Sequence, residues 1–435
     1  MRRNINIIDN LGFTEHSVNS MAIDTGFIKR FRKLNGLDYL IILLYNVAKD
    51  IVSYNTMAST FLDNTDKSVF KQALHKAMSK PAFVVFIDRI FKELLQSKLG
   101  IAKSKLKSKF KRIIIQDSTI IKLPQRLFEY YSGVRNQTTQ VANARVQLAI
   151  DIVSDVFSLF SIDSYSINDL SAAHHLPVKK GYLIIRDRGY CCLSEMKRII
   201  KCGADFIYRY HHGFKYYDIT TGKVIDIYKL VKGKENLKVR VKIGGADGPI
   251  VTLLAEKVNE QIADKRRCQL KKSAKAIPSK QVLRLLSWSI FFTSIEDEQI
   301  TFEEIFALYS LRWRIEIIFK AMKSHLNLDK IHNVPDHQLK FILIGKMILL
   351  LIITQFIYAK VCHKIHKRTG KIISLIKLVR YLKDNVNMIA ELLEIVKKKK
   401  FAVCDIIENL SKYCSYELRS DRTNYEQQLK NTLLS

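Results

Sequence analysis

The sequence predicts an α/β protein: a core of mixed strand direction, interrupted by a β-rich insertion and flanked by helical regions at both ends. Three observations predict it. Apolar residues recur at helical spacing through residues 1–100 and again beyond 341. Between these regions, short apolar runs of strand length alternate with turn signals and a helix closed by Gly203. A block at 213–296 then carries several short strand-like runs before a long amphipathic helix begins near 301.

Residues 1–100 read as helices at 37–52, 54–62, 67–79 and 82–95. The pair around Asp63-Asn64-Thr65-Asp66 suits either a helix-turn-helix, whose second helix enters a DNA groove, or an ordinary helical hairpin. Residues 101–112 form a basic linker through Lys103, Lys105, Lys107, Lys109, Lys111 and Arg112. It is either a solvated charge run or a strap along phosphates.

The first part of the core, 113–212, begins with the buried strand IIIQDST (113–119). RVQLAID (145–151) and VFSLFSID (156–163) follow as a hairpin, then YLIIRDRGY (182–190), a helix at 193–203 and the strand ADFIYRYH (204–211). In the insertion, 213–296, YYDITTG, KVIDIYKL, LKVRVKIG and PIVTLLAEK read as strands, with the turn signal GGADGP at 244–249. DKRRCQLKKSAK (264–275) reads as a basic hinge before LLSWSIFFTSI (285–295). One helix over about 301–326 returns the chain to the core, whose second part is 297–360. A basic helical region, 361–435, ends the chain with KKKK at 397–400.

Composition narrows the partners. Lys and Arg number 72 against 41 Asp and Glu, a formal net charge of +31. A polyanion offsets such self-repulsion, and nucleic acid is the leading candidate, with an anionic membrane surface as the rival. Seven cysteines at irregular spacing, with no CxxC, argue against a disulfide framework or a structural zinc site and fit a reducing cytoplasm. The start, MRRNINIIDN, turns polar before any apolar run, so no signal peptide is expected. FILIGKMILLLIITQFIYA (341–359) has the length of a membrane span, but Lys346, Thr354 and Gln355 interrupt it. A buried core helix is the expectation.

The chemistry concentrates on LYSLRWRIEIIFKAMKSHLNLDKIH (308–332). Tyr309, Arg312, Glu316 and Lys323 follow the spacing Tyr-x2-Arg-x3-Glu-x6-Lys, which on one helix falls within an arc of roughly 60°. Leu308, Leu311, Ile315, Ile318 and Met322 form a separate packing stripe. A carboxylate among cations and a phenol suits a phosphodiester and a hard divalent ion together. The ordinary account of Glu316 is a salt bridge to Arg312 at i−4.

Rigidly held acids are expected at buried strands. Asp117 ends or interrupts IIIQDST, and Asp187 ends YLIIRDRG, where Gly189 permits a sharp exit. Asp151, Asp155 and Asp163 also follow apolar strands, and spacing does not choose among these five. His174 and His175 suit surface or DNA contacts better than a Mg²⁺ site.

Tyr309, Arg312, Glu316 and Lys323 match at every position the YREK signature of DDE transposases encoded by bacterial insertion sequences. Chance alone would yield that match about 0.003 times in a chain of this length. QDST, RDRGY and the surrounding LRWRIE resemble the same family. The resemblance implies a ribonuclease-H-like core split by a β-rich insertion. It implies a metal-binding catalytic triad of Asp117, Asp187 and Glu316, with Tyr309, Arg312 and Lys323 contacting DNA near the cleaved end. It further implies two Mg²⁺ ions (Mn²⁺ as substitute), cleavage at terminal inverted repeats, strand transfer into target DNA and a homodimer in the synaptic complex. A cytoplasmic, nucleoid-associated protein with no membrane partner follows. Some members flip a base onto a Trp of the insertion; Trp288 and Trp313 are the tryptophans present, and the second-strand step stays open. A non-catalytic DNA-binding descendant of a transposase is the alternative, and a protein anchored by 341–359 is a third.

Overall fold

The computed structural model describes residues 11, 13–30, 33–65, 67–96, 109–133, 140–154, 156–245, 247–274, 277–296, 300–328, 330–398 and 405–417. Five helices come first: α1 (Glu15–Asp24), α2 (Gly36–Ala48), α3 (Tyr54–Thr65), α4 (Lys71–Met78) and α5 (Pro81–Gln96). The core follows as β1 (Arg112–Leu123), β2 (Ala142–Asp151), β3 (Val156–Ser164), α6 (Asp169–Ala173), β4 (Tyr182–Arg186), α7 (Leu193–Lys201) and β5 (Asp205–Arg209). Next come β6 (Tyr216–Asp218), β7 (Val224–Ile225), α8 (Ile227–Val231), β8 (Asn236–Ile243), β9 (Ile250–Lys257), α9 (Glu260–Ser273), α10 (Lys280–Leu285) and β10 (Trp288–Thr293). The chain continues with α11 (Phe302–Ser310), α12 (Trp313–Ser324), α13 (Asp336–Leu351), α14 (Ala359–Thr369), α15 (Leu375–Asp384), α16 (Asn387–Lys398) and α17 (Asp405–Tyr413).

All ten strands join one mixed sheet in the order β3-β2-β1-β4-β5-β10-β9-β8-β6-β7. β1, β4 and β5 run parallel, with β2 and β3 antiparallel outside them, which gives the core the mixed strand direction expected from the sequence. The β-rich block continues that sheet. β10 pairs antiparallel with β5, from Phe291 opposite Arg209 to Thr293 opposite Ile207, and carries β9 and β8 outward. Sequence spacing could not show this continuity, because the partner strands lie about eighty residues apart.

Strand parity sorts the side chains between two helical layers. Ile113, Ile115, Leu183 and Ile185 face the larger layer, which holds the N-terminal helices and α11 to α17. Ile114 and Ile184 face the smaller layer with Met196 and Ile199 of α7. Counting on by twos puts Asp117 and Asp187 on the face of the larger layer.

Three expected elements differ. KVIDIYKL is a two-residue strand followed by α8, because the Asp226 carboxylate accepts from the Tyr228 and Lys229 amides and starts a helical turn. The basic hinge is the fourteen-residue helix α9, capped by Asn259; Lys, Arg and Gln are good helix formers, and no Gly or Pro interrupts them. The helix at 301–326 is two helices. At the junction Leu311, Arg312 and Arg314 donate to the carbonyls three residues back, the tighter 3₁₀ pattern. The apolar stripe survives this break: Leu311, Ile315, Ile318 and Met322 are buried and Leu308 packs against them.

The apolar run 341–359 spans α13, a π-helical segment at Ile352–Tyr358 and the start of α14. Long and apolar enough to cross a membrane, its most apolar window is instead 89% buried inside the fold. Lys346 does not face lipid: its ammonium donates to the Asp50 carboxylate at 2.7 Å. Asp66, Asp155, Lys103, Lys105, Lys107 and the last two lysines of KKKK lie outside the described residues.

Candidate active site

Asp117 lies within β1 rather than at its end, since the strand runs on to Leu123. Asp187 follows β4 directly and starts a 3₁₀ turn, Arg188–Tyr190. Glu316 sits in the first turn of α12, which packs across β1 and β2. Three separate elements thus aim their acids at one place.

Arg312 joins two of them. Its guanidinium donates to Asp117 Oδ2 at 3.0 Å and to Glu316 Oε1 at 2.5 Å, while its side chain is only 13% exposed. The Tyr309 hydroxyl donates to Asp187 Oδ1 at 3.3 Å, and Arg312 lies over the Tyr309 ring. Tyr309 is itself wedged against Phe291 of β10. Asp117, Asp187, Tyr309, Arg312 and Glu316 are therefore brought together. Lys323 is half-buried on the last turn of α12, about two helical turns beyond Glu316.

The electrostatics show how closely the acids are coupled. Burial pushes the Asp117 carboxyl up to about 6; the Ser118 amide and Arg312 pull it down, and Asp187 and Glu316 push it up again. Arg312, which burial alone would lower, is held well above its ordinary value by Tyr309, Glu316, Asp117 and Asp187. Burial raises the Tyr309 hydroxyl to about 12, so it is a neutral hydrogen-bond donor at physiological pH.

Would this donor set suit a divalent metal? Among the described residues no three acid, imidazole or thiol side chains stand in position to hold one ion. The chemistry fits nonetheless. The donors are hard carboxylate oxygens, they are mutually repelling, and a cationic group already lies between two of them.

A rear network fixes the two strands that carry the aspartates. Gln116 and Arg186, the residues just before them, are register partners. Arg186 Nε donates to Gln116 Oε1 at 2.7 Å, Nη1 to Glu195 at 2.7 Å and Nη2 to the Ala173 carbonyl at 2.9 Å. Arg186, Gln116 and Glu195 are all fully buried. Arg198 and His174 also bind Glu195, which gives His174 a supporting place behind the site; His175 is exposed. Beside Asp117, the Ser118 hydroxyl donates to Asp169 at 2.6 Å, and Asp169 also accepts from Arg145 and Gln147. Apart from His174 and His175, read as surface or DNA contacts, sequence reasoning missed these residues. The one available signal was charge inside apolar runs, as at Arg186 in YLIIR.

The decoy acids have other work. Asp151 caps the β2–β3 turn through the Val153 amide and the Ser154 hydroxyl, and Asp163 accepts from Ser161.

Next to the acids, a cavity of about 390 Å³ opens between β5, β10, α9 and α10. Arg188, Arg209, Arg266, Tyr210, His212 and Trp288 line it. Burial lowers both Arg209 and Arg266, and Arg209 lowers Arg266 further. Trp288 is half-buried, with its indole N–H donating to the Lys234 carbonyl at 3.3 Å, whereas Trp313 is exposed on the first turn of α12.

Residues 108–352 match the family described as the transposase DDE domain. The chain belongs to that family. It is 25% identical over 414 residues to the transposase of insertion sequence element IS231E from Bacillus thuringiensis subsp. finitimus, covering 88% of this chain and 85% of that one. It is 27% identical over 377 residues to the transposase of IS1151 from Clostridium perfringens, covering 80% and 79%. A piggyBac transposase synaptic complex with hairpin DNA aligns with 99% of this chain and 90% of its own, at 11% identity and a TM-score of 0.43, too distant to add to the assignment.

Proposed function

We propose that this DDE transposase cleaves the ends of an insertion sequence and joins the freed 3′ ends to target DNA in a divalent-metal-dependent reaction. The observation that carries the reading is the convergence of Asp117, Asp187 and Glu316 from β1, β4 and α12, in a chain whose match to the transposase DDE domain spans all three.

Asp117, Asp187 and Glu316 are the proposed metal ligands. When bound, Mg²⁺ or Mn²⁺ would supply Lewis-acid activation of the attacking oxygen and charge neutralisation at the leaving one, with two ions expected. Arg312 and Lys323 neutralise phosphate oxygens, and Tyr309 donates one neutral hydrogen bond. The rear network keeps the two aspartate-bearing strands in register while DNA is bound. Arg188, Arg209 and Arg266 extend the cationic surface from the acids into the neighbouring cavity, which suits the phosphates of a strand end. The helical region 1–100 is a proposed DNA-binding part, and 361–435 a basic flank. The resemblance supports a homodimer holding two ends and a cytoplasmic site of action on the nucleoid.

The test is cleavage of a duplex carrying the inverted repeats that flank the gene, with and without Mg²⁺. Glu316→Gln and Asp187→Asn are expected to lose at least about a hundredfold in cleavage rate while still binding the ends. Unchanged cleavage in either variant would sink the triad. End-specific binding without cleavage by the native chain would favour a DNA-binding descendant instead.

A further inference from the structure

Two features of Arg312 stand out once the site is assembled. Its guanidinium uses Asp117 Oδ2 and Glu316 Oε1, oxygens that a metal held by these acids would also need. Its Nε, meanwhile, is buried without a hydrogen-bond partner. The arginine is thus well paired electrostatically but incompletely satisfied as a donor, a costly state for a buried polar atom.

Buried acids in such proximity repel unless a cation stands between them. The Arg312 guanidinium occupies that place between Asp117 and Glu316. A planar guanidinium bridges two carboxylates well, but it binds a phosphate diester through the same fork. Arg312 also stands at the 3₁₀ turn between α11 and α12, immediately before the first turn of α12. A helix N-terminus favours an incoming anion. The same residue therefore faces two classes of anion: the protein's own acids and a DNA phosphate.

We propose that Arg312 is a resident counter-cation that closes the acid cluster until a DNA phosphate draws it away, so that the divalent metal binds tightly only after DNA is seated. The inference rests on reading Asp117, Asp187 and Glu316 as metal ligands. It orders the two loading steps, DNA before metal, and it disfavours metal-charged protein that has no DNA to act on.

Mn²⁺ binding to the full chain, followed by the electron paramagnetic resonance signal of free Mn²⁺, tests this without any turnover. The probes are Mn²⁺ alone and Mn²⁺ with a duplex ending in a pre-cleaved terminal repeat; Asp187→Asn in each condition identifies the ions held at this site. Without DNA, Arg312→Gln is expected to bind Mn²⁺ at least about tenfold more tightly than the native chain, because binding no longer has to displace the guanidinium. With DNA the two are expected to converge. In EDTA, Arg312→Gln should melt at a lower temperature than the native chain, and Mn²⁺ should restore it. Equal affinity of the native chain with and without DNA, or no gain in Arg312→Gln, would overturn the ordering while leaving the metal site intact. Mn²⁺ binding that ignores Asp187→Asn in every condition would instead overturn the triad itself. If Arg312→Gln fails to fold, Arg312→Lys decides: its single ammonium cannot bridge both acids as the fork does, so native-like affinity without DNA would refute the proposal.

Discussion

Gln116 and Arg186 sit side by side on parallel strands, joined by a 2.7 Å hydrogen bond, and each immediately precedes one of the two aspartates. Because side chains alternate across a sheet, this bond lies on the face opposite the acids. It sets the register of β1 against β4 from behind. A buried Arg–Glu pair is a poor source of stability, since desolvation offsets most of the attraction. Its value here is in fixing where Asp117 and Asp187 point.

Gln116→Leu is accordingly expected to fold but to need severalfold more Mg²⁺ for half-maximal cleavage, with end binding unchanged. Arg186→Leu leaves Glu195 held by Arg198 but strips the donors from Gln116 and the Ala173 carbonyl, and is expected to cost about 1–3 kcal/mol in chemical denaturation. A Mg²⁺ requirement untouched by Gln116→Leu would show that the bond serves folding alone.

Much of this site was legible because local pattern and parity carry it. Ile113 to Ile115 and Leu183 to Ile185 announce buried strands, and the helix signature marks Glu316. The choice of Asp117 and Asp187 over Asp151 was not legible from spacing, because an acid that caps a turn and an acid that faces a site look alike in sequence. Nor was the break at Leu311–Arg312, where good helix formers continue through the junction. The rear network is non-local: Gln116, Arg186 and Glu195 come from three elements, and only the fold brings them together. The same holds for β10, whose apolar run says nothing about pairing with β5.

Asp117 gives a pH prediction with a definite sign. Burial raises its carboxyl to about 6, with Asp187 and Glu316 adding to the effect. A carboxyl raised above its unfolded value of about 3.9 holds its proton more tightly in the folded chain. Its contribution to stability is full below about pH 4 and falls by about 3 kcal/mol as pH rises through about 6. Asp117→Asn removes that fall. In EDTA the variant is expected to be more stable than the native chain near pH 8 and equal to it near pH 4, by denaturant titration. Metal binding runs the other way, because a ligand must be deprotonated: Mn²⁺ affinity of the native chain should rise through about pH 6 and then level off. An Asp117→Asn variant that gains nothing on the native chain between about pH 4 and about pH 8 would contradict the buried, proton-holding Asp117.

The arginine-lined cavity makes a prediction about salt. Arg188 is exposed at its mouth, directly after Asp187, so truncating it removes charge without removing packing. If the cavity takes a DNA phosphate, Arg188→Ala should weaken end binding and reduce the slope of log affinity against log salt by about 0.9, the value of one phosphate contact. The melting temperature should not change. An unchanged slope would place the DNA elsewhere.

The last prediction concerns how α12 is anchored. Asp50 and Asn327 are the non-glycine residues with positive φ among the described residues, at 55° and 48°, and they touch: Asn327 Nδ2 donates to Asp50 Oδ2 at 2.6 Å. Asn327 lies just beyond α12, while Lys346 of α13 and Lys383 of α15 close on the same carboxylate at 2.7 and 2.9 Å. One acid from the turn after α2 therefore ties down the end of the helix that carries Glu316. Burial alone would raise Asp50, but these two lysines hold it below the usual carboxylate range. Its contribution is present above about pH 4 and is lost as pH falls through the lowered value. Asp50→Ala leaves Lys346, whose side chain is 4% exposed, without its carboxylate, and is expected to cost about 3–5 kcal/mol. Asp50→Gly loses the same pair but relieves the left-handed backbone, so it should be about 1 kcal/mol less damaging than Asp50→Ala. Adding Lys346→Met to Asp50→Ala removes the ammonium that has lost its carboxylate and should recover much of the loss. If the double variant is as unstable as the sum of its parts, the two residues act independently and the anchor is not an ion pair.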